Sequence, residues 1–320
     1  MIETRHHRAE FGADEAGMRL DQALAKIFVE YSRTSIKHWI DAGHVAVNSK
    51  PCRPRYCVRS GDIVELTATL EANDKLLGQP VEFDVLHQDE ACLIVNKPAG
   101  CVVHPGAGNP DTTLANGLIH RFPELAVLPR AGLIHRLDKN TSGLLVVARN
   151  SRAYQALVRQ MAERNVKRIY DALVVGKFIS NGKIDAAIGR DPLNRTRMTV
   201  RAGGRQAVTH FRIVSSFRAH TQLEVELETG RTHQIRVHMA HIKHPIVGDS
   251  RYGARLVLPS DPSDGLERCM REFPRQALHA RRLEFDHPVH KEKIAVNAPM
   301  PPDMAELIDG CRTDRETSRL

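Results

Sequence analysis

With 320 residues, 42% of them hydrophobic and 26% charged, the chain has an ordinary globular composition and room for one large domain or two. Lysine and arginine number 46 against 38 acidic residues, a formal charge of +8 that leans toward a polyanionic partner. The six cysteines make no CxxC pair or zinc spacing, the N-terminus lacks a signal-peptide core and no apolar run is long enough to span a membrane. A soluble, cytoplasmic chain with free thiols and no membrane partner is therefore expected.

Residues 13–70 read as a small basic module. Leu20, Ala23, Leu24, Ile27, Phe28 and Tyr31 form one helical stripe. Ser32 can cap a second helix, with Ile36, Trp39 and Ile40 on its apolar face and Gly43 as its stop. Arg33 and Lys37, four residues apart, share a face of that helix and can point together at phosphates. Short strands are expected at Val45–Val47 and Ile63–Leu66, with Lys50, Arg53, Arg55 and Arg59 between them. The pattern RLDQALAKIF…SRTSIKHWIDAGHVAVNSK…VRSGDIVEL resembles the S4 RNA-binding domain, which makes Arg33, Lys37, Arg53 and Arg55 candidate RNA contacts. Where that family most often has Asn-Gly, this chain has Asn48-Ser49, so a different turn is expected, since serine tolerates positive φ less well.

Residues 71–80 are polar, with Gly78 and Pro80, and read as a linker to a larger domain over 81–310; a disordered tail is expected over 311–320. Cys92–Val95 has the look of a buried strand, and the loop from Pro105 to Pro110 lacks the Gly-Lys-Ser/Thr of a nucleotide cradle. Arg130 to Ala148, RAGLIHRLDKNTSGLLVVA, sets Asp138 between Arg136 and Lys139, ahead of a small-residue turn and an apolar strand. An acid on a polar loop that leads into a buried strand is fixed yet open to a ligand. Ser151 can cap a helix carrying Tyr154, Leu157, Val158 and Met161, and Lys167–Gly176 reads as a strand with Tyr170, Ala172 and Val174 on one face. Leu223, Val225 and Leu227 alternate with glutamates in a half-buried strand, after which Thr229-Gly230-Arg231 turns the chain and Thr232 can cap a helix. Arg231, at the mouth of that turn, is placed to meet a carboxylate or a phosphate. The nearby histidines lack HExxH spacing, and His238 falls on the apolar face as a core histidine, so no metal site is expected. HRLD is not the kinase HRD loop, since no DFG and no nucleotide loop accompany it.

HRLDKNTSG, with Val95-Asn96-Lys97-Pro98, KRIYDALVVG and LETGRTHQIRVHMAHIKHPIVGD in order, resembles the signatures of the RluA-type pseudouridine synthases. The resemblance implies an α+β fold, a mixed, largely antiparallel sheet with flanking helices and a central cleft beside the S4-like domain. It implies Asp138 as the catalytic aspartate, Tyr170 at the target base, Arg231 paired with the aspartate, and Arg136 inserted where the uridine leaves the RNA stack. It further implies a monomer with no metal, nucleotide or other cofactor, acting on 23S ribosomal RNA or an immature large subunit, at uridines of helix 69. Other readings stay open: a sister synthase of other rRNA or tRNA uridines, an RNA-binding assembly factor, or a carboxylate glycosidase. So does the aspartate's role: attack at C1′, attack at C6, or removal of a sugar proton.

Overall fold

A computed structural model describes the chain except residues 1, 29–30, 32, 72–75, 107, 195, 254–255 and 318–320. The chain divides into two compact units, 1–77 with 124–129, and 78–123 with 130–320.

In the first unit, β1 (Ile2–Glu10), β2 (Val45–Val47), β3 (Lys50–Pro51) and β4 (Ile63–Glu71) form an antiparallel sheet in the order β1-β4-β2-β3. Helices α1 (Leu20–Ile27) and α2 (Arg33–Asp41) bury Leu20, Ala23, Leu24, Ile36, Trp39 and Ile40 in one core with Val45, Val47, Val64 and Leu66. Gly43 ends α2 at a φ of 78°, where a left-handed residue closes the last turn. Ser32, the expected cap, lies outside the described residues, as do 72–75 of the expected linker. Strand β1 is absent from the sequence reading and starts well before residue 13: it pairs with β4 along its whole length but buries little, so it shows no apolar alternation.

The second unit is built on a nine-stranded sheet. Its strands are β5 (Asp84–Gln88), β6 (Cys92–Lys97), β7 (Ser142–Ala148), β8 (Lys167–Val175), β9 (Gly182–Asp185), β12 (Val208–Ser216), β13 (His220–Leu227), β14 (Leu278–Asp286) and β15 (Lys293–Asn297). The order is β5-β6-β7-β14-β8-β13-β12-β9, with β15 on β14. Every pairing is antiparallel except β7 with β14, so the sheet is mixed and largely antiparallel, as expected. A hairpin of β10 (Ile188–Arg190) and β11 (Met198–Val200) stands apart from it. Helices α3 (Leu114–Arg121), α4 (Ser151–Ala162), α5 (Gln234–His241), α6 (Asp264–Glu272) and α7 (Pro302–Thr317) flank the sheet. All seven residues of β7 are buried, and Leu144, Val146 and Ala148 pack with Ala153 and Leu157 of α4, which Asn150 caps by accepting the Ala153 N–H.

Residues 311–317, expected as tail, are helical in α7. Cys311 and Asp314 are buried there, and Asp314 accepts the Ser263 N–H and pairs with Arg218, contacts that a local reading of a polar segment cannot supply. No helix among the described residues is long and apolar enough to cross a membrane.

Candidate active site

Two glycines shape the approach to Asp138. Arg130, Ala131 and Gly132 are all left-handed, with φ of 55°, 53° and 75°, and a Cβ on Gly132 would lie 2.1 Å from the Ala148 carbonyl oxygen. Gly143, at a φ of 114°, lets β14 come close, where a Cβ would meet the Ala280 oxygen at 2.3 Å. Between these two contacts the chain runs beside β7, with Leu133 bridging Val147, and a turn from the Thr141 N–H to the Asp138 carbonyl presents the Asp138 side chain.

Beneath that turn lies Lys97. It is fully buried, and its Nζ donates to the carbonyls of Pro98 (2.7 Å), Cys101 (2.9 Å) and Lys139 (3.0 Å). Burial pushes the Lys97 ammonium down to about 8, against the attraction of Asp138. One lysine thus ties the loop that carries Asp138 to the end of β6.

The partner of Asp138 is Arg236, not Arg231. An Arg236 nitrogen donates to Asp138 Oδ2 at 2.8 Å, while its other two bond Asp249 at 2.7 and 2.8 Å. Asp249 also accepts the N–H groups of Arg251 and Tyr252. Burial opposes the charge on both Arg236 and Asp249, yet their mutual bonds win: the arginine is held protonated and the carboxyl below its usual range.

Arg231 instead donates to the Gln206 carbonyl at 3.0 Å. The reason is where α5 begins. The Gln234 side chain accepts from the Arg231 N–H and the Thr229 hydroxyl and donates to Val208 and Thr209, so the turn extends past Thr232 to a left-handed His233 and the helix starts at Gln234. Arg236, in the first turn of that helix, then faces Asp138. Arg236 and Asp249 both stand inside GRTHQIRVHMAHIKHPIVGD, but only a tertiary contact marks them as the aspartate's support.

Asp138, Tyr170, Arg231 and Arg136 nevertheless border one cavity of about 280 Å³, with Arg168 and His135. A second cavity of about 610 Å³ shares Arg130, His135, Arg136, Asp138, His233 and Arg236 and adds Lys139 and Arg251, so Asp138 stands on a divide between two cationic lobes. Asp138 Oδ2 is occupied by Arg236, while among the described residues Oδ1 has only the His233 Nε2 nearby, at 3.9 Å, beyond hydrogen-bond length. The aspartate therefore offers one fixed oxygen and one free oxygen. Tyr170 is buried on β8, and burial above all raises its phenol, with the Asp138 charge adding to the effect and Arg168 opposing it. It remains a neutral aromatic surface and not a proton acceptor near neutral pH.

At α5, His238 is the core histidine expected from its apolar face: it is buried and bonded to Thr209 Oγ1 and the Ala186 carbonyl, both at 2.9 Å. Elsewhere His87, Asp89 and Cys92 lie close enough to hold an ion, but they bond one another, with 2.7 Å from His87 to Asp89.

In the first unit Arg33, Lys37, Arg53 and Arg55 are all exposed, but Arg33 is already engaged, bonding the buried Asp21 at 2.7 and 2.9 Å.

Residues 91–241 match the family described as RNA pseudouridylate synthase, and residues 18–64 match the S4 domain. The Xanthomonas campestris ribosomal large subunit pseudouridine synthase D is 51% identical over 93% of this chain and 90% of its own. The chain belongs to the RNA pseudouridine synthase family. It is thus an isomerase that converts uridine to pseudouridine, and the cavity beside Asp138 is its candidate active site. The Escherichia coli K12 ribosomal large subunit pseudouridine synthase D is 47% identical to this synthase over 96% of this chain and 95% of its own. Among solved structures, human RNA pseudouridylate synthase domain containing 4 superposes with a TM-score of 0.56 at 26% identity, over 71% of this synthase and 92% of that chain.

Proposed function

We propose that the synthase isomerises uridines of large-subunit ribosomal RNA, in helix 69, with Asp138 as the reacting group. The observation that carries this reading is the split use of the Asp138 carboxylate: Arg236 fixes Oδ2 and Oδ1 is left open to the cavity that Tyr170 lines. The names of the relatives support the ribosomal substrate.

The reaction breaks the N1–C1′ bond and joins C5 to C1′; the proton lost from C5 is balanced by one gained at N1. No redox step or phosphate transfer is required. The free oxygen of Asp138 attacks the nucleoside or takes a proton, and Arg236 holds it in line. A stacked uridine hides the reacting atoms, so it must leave the helix, at a cost of about a few kcal/mol that stacking on Tyr170 and phosphate contacts offset. Arg136, exposed on the HRLD loop, fills the gap in the stack.

The test is to incubate the protein with 23S transcripts and with immature subunits and to map pseudouridine. Modification in helix 69 by wild type and none by Asp138→Asn is the expected result. Pseudouridine at other positions only reassigns the target, and an active Asp138→Asn overturns the mechanism.

A further inference from the structure

His135 is a half-buried side chain on the wall of both cavities, and it takes no part in the contacts that hold Asp138. Its Nε2 accepts the N–H of Val146 in β7 at 3.3 Å. A backbone N–H is always a donor, so this nitrogen carries no proton, and a neutral imidazole must then carry its proton on Nδ1. The two ring nitrogens point roughly opposite ways. With Nε2 turned into the sheet, Nδ1 has no partner among the described residues, and it is not among the sealed, unpartnered side-chain atoms.

We propose that His135 is a substrate-reading residue, its Nδ1–H donating to a carbonyl oxygen of the flipped uracil. The inference rests on the synthase reading above. A flipped uracil presents O2 and O4 as acceptors and N3–H as a donor, and a side chain locked as a donor at Nδ1 recognises the former. Burial and the positive charge of Arg168 push the His135 imidazole down to about 3, so the ring is neutral at any pH at which the protein works. A neutral donor suits this position: it orients the base and adds no second cation to compete with Arg236 for Asp138. The Val146 bond fixes the ring's rotation without using the donor, as a preorganised site requires.

Leucine at 135 removes both bonds, whereas glutamine keeps an acceptor for Val146 and a donor for the base. The substrates are 23S fragments whose target uridine is replaced by 2-thiouridine or by 4-thiouridine, sulfur being the weaker acceptor. Wild type is expected to lose about tenfold in kcat/KM on one of the two thio-RNAs. His135→Leu should lose about tenfold on unmodified RNA and nothing further on that thio-RNA, and His135→Gln should restore both rate and sulfur sensitivity. A purely structural role would lower the rate and the melting temperature but leave the thio effect intact. Additive losses in His135→Leu, or a wild type indifferent to both sulfurs, overturn the proposal; where the leucine variant fails to fold, His135→Gln decides it, retained sulfur sensitivity supporting the proposal and its loss overturning it. A wild type that makes no pseudouridine on unmodified RNA rejects the synthase reading itself, and the inference with it.

Discussion

Arg236 reaches Asp138 with one guanidinium nitrogen at 2.8 Å and grips Asp249 with the other two, so the Asp138 carboxylate is aimed by a group that is itself clamped from behind. Arg236 is only 8% exposed in its side chain and Asp249 not at all, which keeps the clamp out of competing water. A fork of this kind has geometry as well as charge, and a lysine reproduces only the charge.

Arg236→Lys should therefore lower kcat by about a hundredfold while leaving RNA affinity nearly unchanged, because the aspartate keeps its charge but loses its aim. Asp249→Asn should act in the same direction, through Arg236. Arg231→Ala should cost less than about tenfold, in KM more than in kcat, since Arg231 lines the cavity without touching Asp138. Single-turnover rates on one RNA, with filter-binding affinities, separate these cases; an Arg231→Ala defect as deep as that of Arg236→Lys would assign the clamp to the wrong arginine.

Asp138 and Tyr170 do border one cavity, but local pattern alone offers only an acid on a polar loop and a strand tyrosine that is ordinarily core; it is the family resemblance that singles them out. The mixed sheet is legible as a family expectation. The Arg236 pairing is not, because it depends on where α5 starts, which the side chain of Gln234 decides by reaching β12 and the Thr229 turn. Strand β1 is hidden for the opposite reason, being so exposed that it leaves no alternation. Arg33 shows a third limit, since helical spacing places it beside Lys37 but cannot show that Asp21 already holds it.

Lys97 gives a pH signature. Its folded value of about 8 lies below the usual 10.5, so between those values the unfolded chain binds more protons and stability rises with pH, by of order 3 kcal/mol in total. The buried thiols of Cys92 and Cys311, pushed up to about 12, work in the other direction above their ordinary value. The quantity to read is therefore the difference between wild type and Lys97→Met in urea midpoints from pH 7 to 10. That difference should shift in favour of wild type as pH rises; a flat difference would mean that Lys97 is not buried in its charged form. Activity of Lys97→Met should also fall, since the carbonyls of Pro98, Cys101 and Lys139 lose their common donor.

The β2–β3 turn keeps the shape of an Asn-Gly turn although glycine is absent. Asn48 and Ser49 both have positive φ, 50° and 62°, and Asn48 is braced by Asp62 and the Ile63 N–H. The difference expected from the sequence is thus expressed as strain and not as a new turn type. Ser49→Gly should raise the stability of the unit by about 0.5–1 kcal/mol with RNA binding unchanged. A thermal melt of the full chain that shows no gain would place the cost of Ser49 elsewhere.

Lys37, Arg53 and Arg55 of the S4-like unit separate from Arg33 in a binding experiment. Lys37 is exposed and has no ion-pair partner among the described residues, so Lys37→Glu should weaken RNA affinity, reduce the slope of log affinity against log salt by about 1 and leave the melting temperature unchanged. Arg53→Glu and Arg55→Glu should behave alike. Arg33→Glu should in addition destabilise the unit by about 1–2 kcal/mol, because Asp21, only 2% exposed, would keep Arg19 but gain a neighbouring carboxylate in place of a cation. Saturating RNA should restore modification by Lys37→Glu, since the Asp138 cavity is untouched. Salt slopes equal to wild type in all three of these variants would remove Lys37, Arg53 and Arg55 from the RNA interface and leave the cations of the catalytic unit as the source of affinity.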